Sequence, residues 1–219
     1  MNSQLIFTFL KNLKENNNKE WFDANRSTYQ EVRKEVENFI RHILKELTPV
    51  DPGLSSLAVK DCMFRMNRDI RFSPDKTPYK TNIGVVFSPG GKNTGNPSYY
   101  LHLQPGSESF VGGGIYMPSS EVLSKIRQEI DYNSDDFKKI LNEKTFKKFY
   151  AELYGEKLKT APRGYPKDHP EVELLKFKHY VVLHYLKDDQ IGKKDFEEYT
   201  LSAFKALKPF NDFLKVAIS

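Results

Sequence analysis

Leu5, Ile6, Phe9, Leu10 and Leu13 recur at helical spacing near the start of the chain, and Asn16-Asn17-Asn18 end that short amphipathic helix. Tyr29, Val32, Val36, Ile40, Ile43 and Leu47 then step by three or four residues. Such a stripe predicts one helix over 19–47, packed across a sheet face with Tyr29, Val36, Ile40 and Ile43 buried. Trp21 and Phe22 stand at its start as anchors to the core, and Pro49 and Pro52-Gly53 close it. From Leu57 to Met117 the pattern changes to strands and turns. Segments 59–66, 83–87, 99–103 and 110–116 are rich in β-branched and aromatic residues. The loop 89–97 and the turn 104–107 are too short for parallel crossovers, so the pairing is antiparallel.

Helical spacing returns after Pro118, where Ser119 or Ser120 opens a helix carrying Leu123, Ile126 and Ile130. Ser134, followed by Asp135 and Asp136, caps another, and Thr145 a third with Phe146, Phe149, Tyr150 and Leu153 on one face. Residues 157–170 form a polar loop, 180–186 a last strand, and a helix from Asp195 is bent or broken at Pro209. The order of elements gives an α+β fold: a single, mainly antiparallel β-sheet packed against several α-helices, with residues 1–219 as one domain.

Composition changes the picture little. Of 219 residues, 38% are hydrophobic and 13% aromatic, enough for a real core. Net charge is +5, compatible with a polyanionic partner but mild for a dedicated nucleic-acid binder. Cys62 is the only cysteine, which excludes an internal disulfide and a Cys-based zinc site; within an apolar strand it reads as an inert buried thiol. No apolar run approaches the roughly 18–20 residues of a spanning helix, and no cleavable leader is visible. A cytoplasmic protein with no membrane partner is expected.

Charge is concentrated in one place. Residues 65–80 (RMNRDIRFSPDKTPYK) hold Arg65, Arg68, Arg71, Lys76 and Lys80 against Asp69 and Asp75, so +3 of the chain's +5 lies in sixteen residues. Pro74 to Pro78 is turn chemistry that folds the flanks together. Arginine offers a planar fork matched to phosphate or carboxylate, lysine a compact charge, and Tyr79 a hydroxyl or a stacking face. An anion site formed by Arg65, Arg68, Arg71, Lys76, Tyr79 and Lys80, supported by Asp69 and Asp75, is one reading. The other is an internal ion network in which the two aspartates take up the bases.

Gly112-Gly113-Gly114 interrupts a strand, which reads first as a bulge and second as room for a ligand against Gly113. Arg26, on the helix edge with Asn18, Asn25 and Tyr29, could support a cleft. In 162–170, Asp168 is a cap, and His169 becomes functional only if the fold brings it another carboxylate. The five histidines show no metal-ligand spacing, and no P-loop, GxGxxG or GxSxG signature appears. No cofactor is indicated.

The segments NNNKEWFDANR (16–26), RDIRFSPDKTPYKT (68–81), SFVGGGIYMP (109–118) and PRGYPKDHP (162–170) give the chain its resemblance to the family called domain of unknown function 2461. The likeness runs over nearly the whole length and is most specific in the second segment. It implies a single whole-length domain and draws attention to these four segments; it implies no activity, because none is established for the family.

Three functions follow from these residues. The first is binding of a phosphate-bearing anion: a nucleotide, a phosphorylated metabolite or a nucleic-acid end. The second is an enzyme acting on a phosphoester or sugar phosphate with Asp69 or Asp75 as acid or base. The third is a basic domain that docks an acidic protein partner.

Overall fold

The computed structural model describes residues 1–219. Helix α1 (Ser3–Glu15) is capped by Asn2 and buries Ile6, Phe9, Leu10 and Leu13. The apolar stripe expected to run as one helix over 19–47 is divided into α2 (Lys19–Ala24) and α3 (Arg26–Leu47). Asn25 is the cause: its side-chain amide donates to the Trp21 carbonyl at 2.9 Å, and its backbone leaves helical geometry at φ −104°, ψ 19°. Val32, Val36, Ile40, Ile43 and Leu47 are fully buried all the same, while Trp21 and Tyr29 are half-buried against the core.

The strand expected over 59–66 is instead a one-turn helix, α4 (Val59–Cys62), followed by extended chain. Asp61 reaches back to the Ala58 amide at 2.9 Å and holds that turn. Cys62 therefore ends a helix rather than lying in a strand, buried as expected.

The sheet is antiparallel throughout: β1 (Ile83–Phe87), β2 (Ser98–Leu103), β3 (Ser109–Ile115) and β4 (Tyr180–Leu186), in the order β1-β2-β3-β4. Between β3 and β4 lie α5 (Ser120–Tyr132), α6 (Ser134–Asn142), α7 (Lys144–Phe149) and α8 (Val172–Leu175). After β4 come α9 (Asp188–Ile191) and α10 (Phe196–Ile218). Three cap expectations shift: Glu171, not Asp168, precedes α8, with no side-chain bond to its first turn. Asn133 precedes α6 in place of Ser134, and Glu143, not Thr145, caps α7 by accepting from the Thr145 and Phe146 amides. Pro209 lies inside α10, which runs on to Ile218, so of the bend or break expected there the break does not occur. Phe204, Leu207, Phe210 and Leu214 keep that helix in the core on both sides of the proline.

Alternation along the strands sorts two faces. Ile83, Val85, Phe87, Tyr99, Leu101, Leu103 and Val111 are buried on the face covered by α10, where Phe204 meets Phe87 edge-on and Tyr99 at a tilt. One cluster of 46 buried residues joins this face to α1, α3 and the helices 120–149.

The glycine run makes no bulge, because β3 keeps an unbroken register from Ser98↔Gly114 to His102↔Phe110 and from Ser109↔Leu186 to Ile115↔Tyr180. The missing side chains serve close packing. A Cβ on Gly113 would stand 1.9 Å from the Ser98 carbonyl oxygen and 2.6 Å from Leu207 Cδ2 of α10. Gly114, at φ +108°, leaves room for Phe210 in the same way, with that ring 3.0 Å from a Cβ placed there.

Candidate functional site

Gly84, Val86, Tyr100, His102, Phe110, Leu183 and Tyr185 lie on the opposite face of the sheet, away from α10. That face is the floor of a groove of about 540 Å³. Phe64 and Lys80 line one part of its wall, Tyr116 and Tyr154 another, and the loop 88–98 supplies Asn93, Thr94 and Asn96. Lys92 of this loop donates to the Lys60 and Met63 carbonyls at 2.6 and 2.9 Å, and Asn96 donates to the Pro89 carbonyl at 3.0 Å. The rim is thereby tied to α4 and closed on itself.

Aromatic rings dominate the floor. Tyr100 meets Phe64 edge-on at 6.3 Å and Phe110 at 5.8 Å, and Phe110 stacks on His102 at 4.7 Å and meets Tyr185 at 5.7 Å. Tyr116, Tyr154 and Tyr185 remain 68%, 49% and 56% exposed, an unusual amount of ring surface for three tyrosines lining one groove.

Lys80 is the cation of the groove. Its Nζ stands 5.4 Å from the Phe64 ring centre, and no carboxylate pairs with it. Burial, and then the nearby Arg65 charge, hold its ammonium below the usual lysine range. Tyr100 is pushed up to about 12 by burial, so it is a neutral phenol at physiological pH. Burial also lowers His102, against the opposing pull of Gln104 and Glu108.

The segment 65–80 is a hairpin arm: Lys80 N–H donates to the Met66 carbonyl at 2.8 Å, Asn67 pairs with Tyr79, and Arg68 N–H donates to the Pro78 carbonyl at 2.9 Å. Its bases do not meet at one point. Arg68 is paired with Asp75 and Thr77, and Arg71 takes both oxygens of Asp69 at 2.9 and 2.7 Å while lying by Phe72. Lys76 donates to the Ile70 carbonyl at 2.9 Å. Tyr79 is buried, stacked on Phe22 at 4.0 Å, with its backbone bonded both ways to the Asn17 amide. Arg65 is exposed, and Arg26 is exposed and paired with Asp23. Of the residues singled out in the sequence, Lys80, Gly113 and Gly114 line the groove, and the Gly113 Cβ direction faces α10.

Asp75 sits at about 2, lowered first by the Thr77 amide and then by Arg68; Asp69 is lowered by Arg71. His169 does meet a carboxylate through the fold: Asp131 accepts from its Nε2 at 2.9 Å, while its Nδ1 accepts from the Glu171 amide at 3.1 Å. Both ring nitrogens are occupied, which clamps the loop onto α5. No group of three or more His, Cys, Asp or Glu side chains is placed to hold a metal ion. A second, smaller cleft of about 320 Å³ lies between α1 and α9. Its Asp188 carboxylate is taken by the Gly106 and Ser107 amides at 2.9 and 2.8 Å.

Fold and groove together define an α+β protein with an aromatic cleft on the open face of an antiparallel sheet. Residues 5–213 match the family described as "Conserved hypothetical protein (DUF2461)", and the chain belongs to it. No curated protein and no solved structure matches the chain. No helix is long and apolar enough to cross a membrane.

Proposed function

We propose that the groove binds a small anionic molecule with a flat ring body, of the size of a nucleotide or an aryl or sugar phosphate. The observation that carries this reading is Lys80: a cation without a carboxylate partner, held beside Phe64 at the wall of an aromatic-floored cleft. An ammonium whose charge is disfavoured by its surroundings gains most from an incoming anion, because the pair relieves the desolvation that the lone charge bears. Tyr100, Phe110 and Tyr185 supply ring faces and edges for a planar body, and Asn82, Asn93 and Asn96 add donors and acceptors around it. A volume of about 540 Å³ is in the range of small-molecule sites.

This reading keeps the anion and moves the site. The phosphate-bearing ligand expected from residues 65–80 is proposed to sit at Lys80 and on the sheet, with Arg68, Asp75, Arg71 and Asp69 shaping the arm. Both aspartates are engaged by arginines and neither lines the groove, which favours binding over hydrolysis through those acids.

Thermal-shift screening of the wild type and Lys80→Met against nucleoside monophosphates, sugar phosphates and aryl phosphates tests the proposal. A ligand present at 100 times its Kd raises stability by about 2.7 kcal/mol. Ring-bearing phosphates are expected to raise the Tm of the wild type and to do so much less in Lys80→Met. No shift with any of them, or equal shifts in both proteins, contradicts it.

A further inference from the structure

Four side chains make a directed hydrogen-bond chain along the groove face. Gln104 Nε2 donates to the Glu108 carboxylate, which leaves Gln104 Oε1 facing His102 Nε2 at 2.9 Å. An amide oxygen only accepts, so His102 carries its proton on Nε2. The opposite amide orientation would turn Gln104 Oε1 toward a carboxylate and is disfavoured. His102 Nδ1 is then a bare lone pair, and the Tyr100 hydroxyl, 3.4 Å away, is the donor placed to meet it. Stacking on Phe110 at 4.7 Å and an interplanar angle of 6° holds the imidazole in this plane. Every bond in the chain points from Tyr100 toward Glu108.

The consequence falls on the ligand. With its proton committed to His102, Tyr100 presents only oxygen lone pairs to the groove it lines. We infer that the groove selects ring-bearing anions that also carry a hydrogen-bond donor, an amino, amide or hydroxyl group, placed to meet Tyr100 Oη. The inference rests on the proposed groove binding and narrows its ligand class. A ligand offering only an acceptor must turn the Tyr100 hydroxyl away from His102 and leave Nδ1 unpaired within the protein, which is unfavourable. Tyr100 is thus a specificity-determining residue, while His102, Gln104 and Glu108 act through it as positioning residues.

Two measurements test it. Nitrogen NMR of the free, 15N-labelled protein is expected to show His102 protonated on Nε2 and bare on Nδ1; a proton on Nδ1 overturns the inference with no ligand involved. Affinities are then compared within matched pairs: 4-aminophenyl phosphate against phenyl phosphate, and adenosine against purine riboside 5′-monophosphate. In at least one pair the donor-bearing member is expected to bind the wild type about fivefold to tenfold tighter. Tyr100→Phe, which keeps the packed ring, is expected to erase that preference by bringing the two members of the pair to equal affinity. Equal affinities within both pairs, or a preference that survives in Tyr100→Phe, overturn the inference and leave the groove reading standing. If none of the four phosphates binds the wild type, this inference fails, and the groove reading fails with it only if the wider screen of ring-bearing phosphates is also silent.

Discussion

The Tyr100 hydroxyl lies 2.5 Å from the point where a Cβ on Gly84 would stand, and Gly84 is the ladder partner of His102. An absent side chain on β1 therefore makes the space in which the β2 tyrosine reaches its histidine. Gly84→Ala is expected to displace the Tyr100 hydroxyl from His102, with the phenol ring held between Phe64 and Phe110 and little able to slide. The change should weaken ligand binding at a modest cost in stability, about 1 kcal/mol. Ligand titration and urea unfolding on one variant check both parts.

Gly113→Ala has the opposite signature. Its methyl group would meet a backbone carbonyl and Leu207, neither of which can leave without moving β2 or α10. A loss of about 2–3 kcal/mol in unfolding free energy is expected from such overpacking. Affinity among the molecules that still fold should be ordinary, because the added group points away from the groove. Denaturant midpoints beside titrations of the folded fraction distinguish this from a ligand-contact role.

How much of this was legible in the sequence depends on the range of the physics involved. Alternation in residues 98–103 places Tyr99, Leu101 and Leu103 on one face and Tyr100 and His102 on the other, a local signal open to any reader. That the second face becomes a groove depends on Phe64, Lys80 and the loop 88–98 closing over it, contacts between segments that no local period records. The cluster in 65–80 was visible as charge, but Arg68 meets Asp75 only because the hairpin sets Arg68 beside Pro78. Asn25 and Pro209 differ in what they do to a helix. The asparagine cut a stripe that looked continuous, and tertiary packing carried α10 past a residue that usually breaks helices.

Asp75 sets an acid limit on the arm. Its carboxyl is held at about 2, against about 3.9 in an unfolded chain. A lowered folded value means that the stabilisation is complete above pH ~4 and is lost as the pH falls toward ~2. Asp75→Asn should be less stable than the wild type at neutral pH and should show a shallower decline across that interval, read from urea midpoints at each pH.

Lys80→Met should separate stability from binding. The wild-type ammonium is disfavoured in the fold, so the variant is expected to melt at the same temperature as the wild type or higher at pH 7. Any advantage should close as the pH rises toward the ordinary lysine value of about 10.4, where the wild-type side chain sheds its proton. Affinity for a ring phosphate should meanwhile fall about tenfold. Calorimetric melting across pH, with titration at neutral pH, reads both effects.

The account stands or falls on where an anion sits. Backbone amide shifts mapped by NMR during titration with the best ring phosphate address this directly. The predicted changes centre on Lys80, Asn82, Gly84, Tyr100 and Tyr185, and in Lys80→Met they require about tenfold more ligand. Changes confined to Arg65, Arg68, Arg71 and Lys76, with the sheet face silent, would place the anion on the arm and contradict the groove as the site.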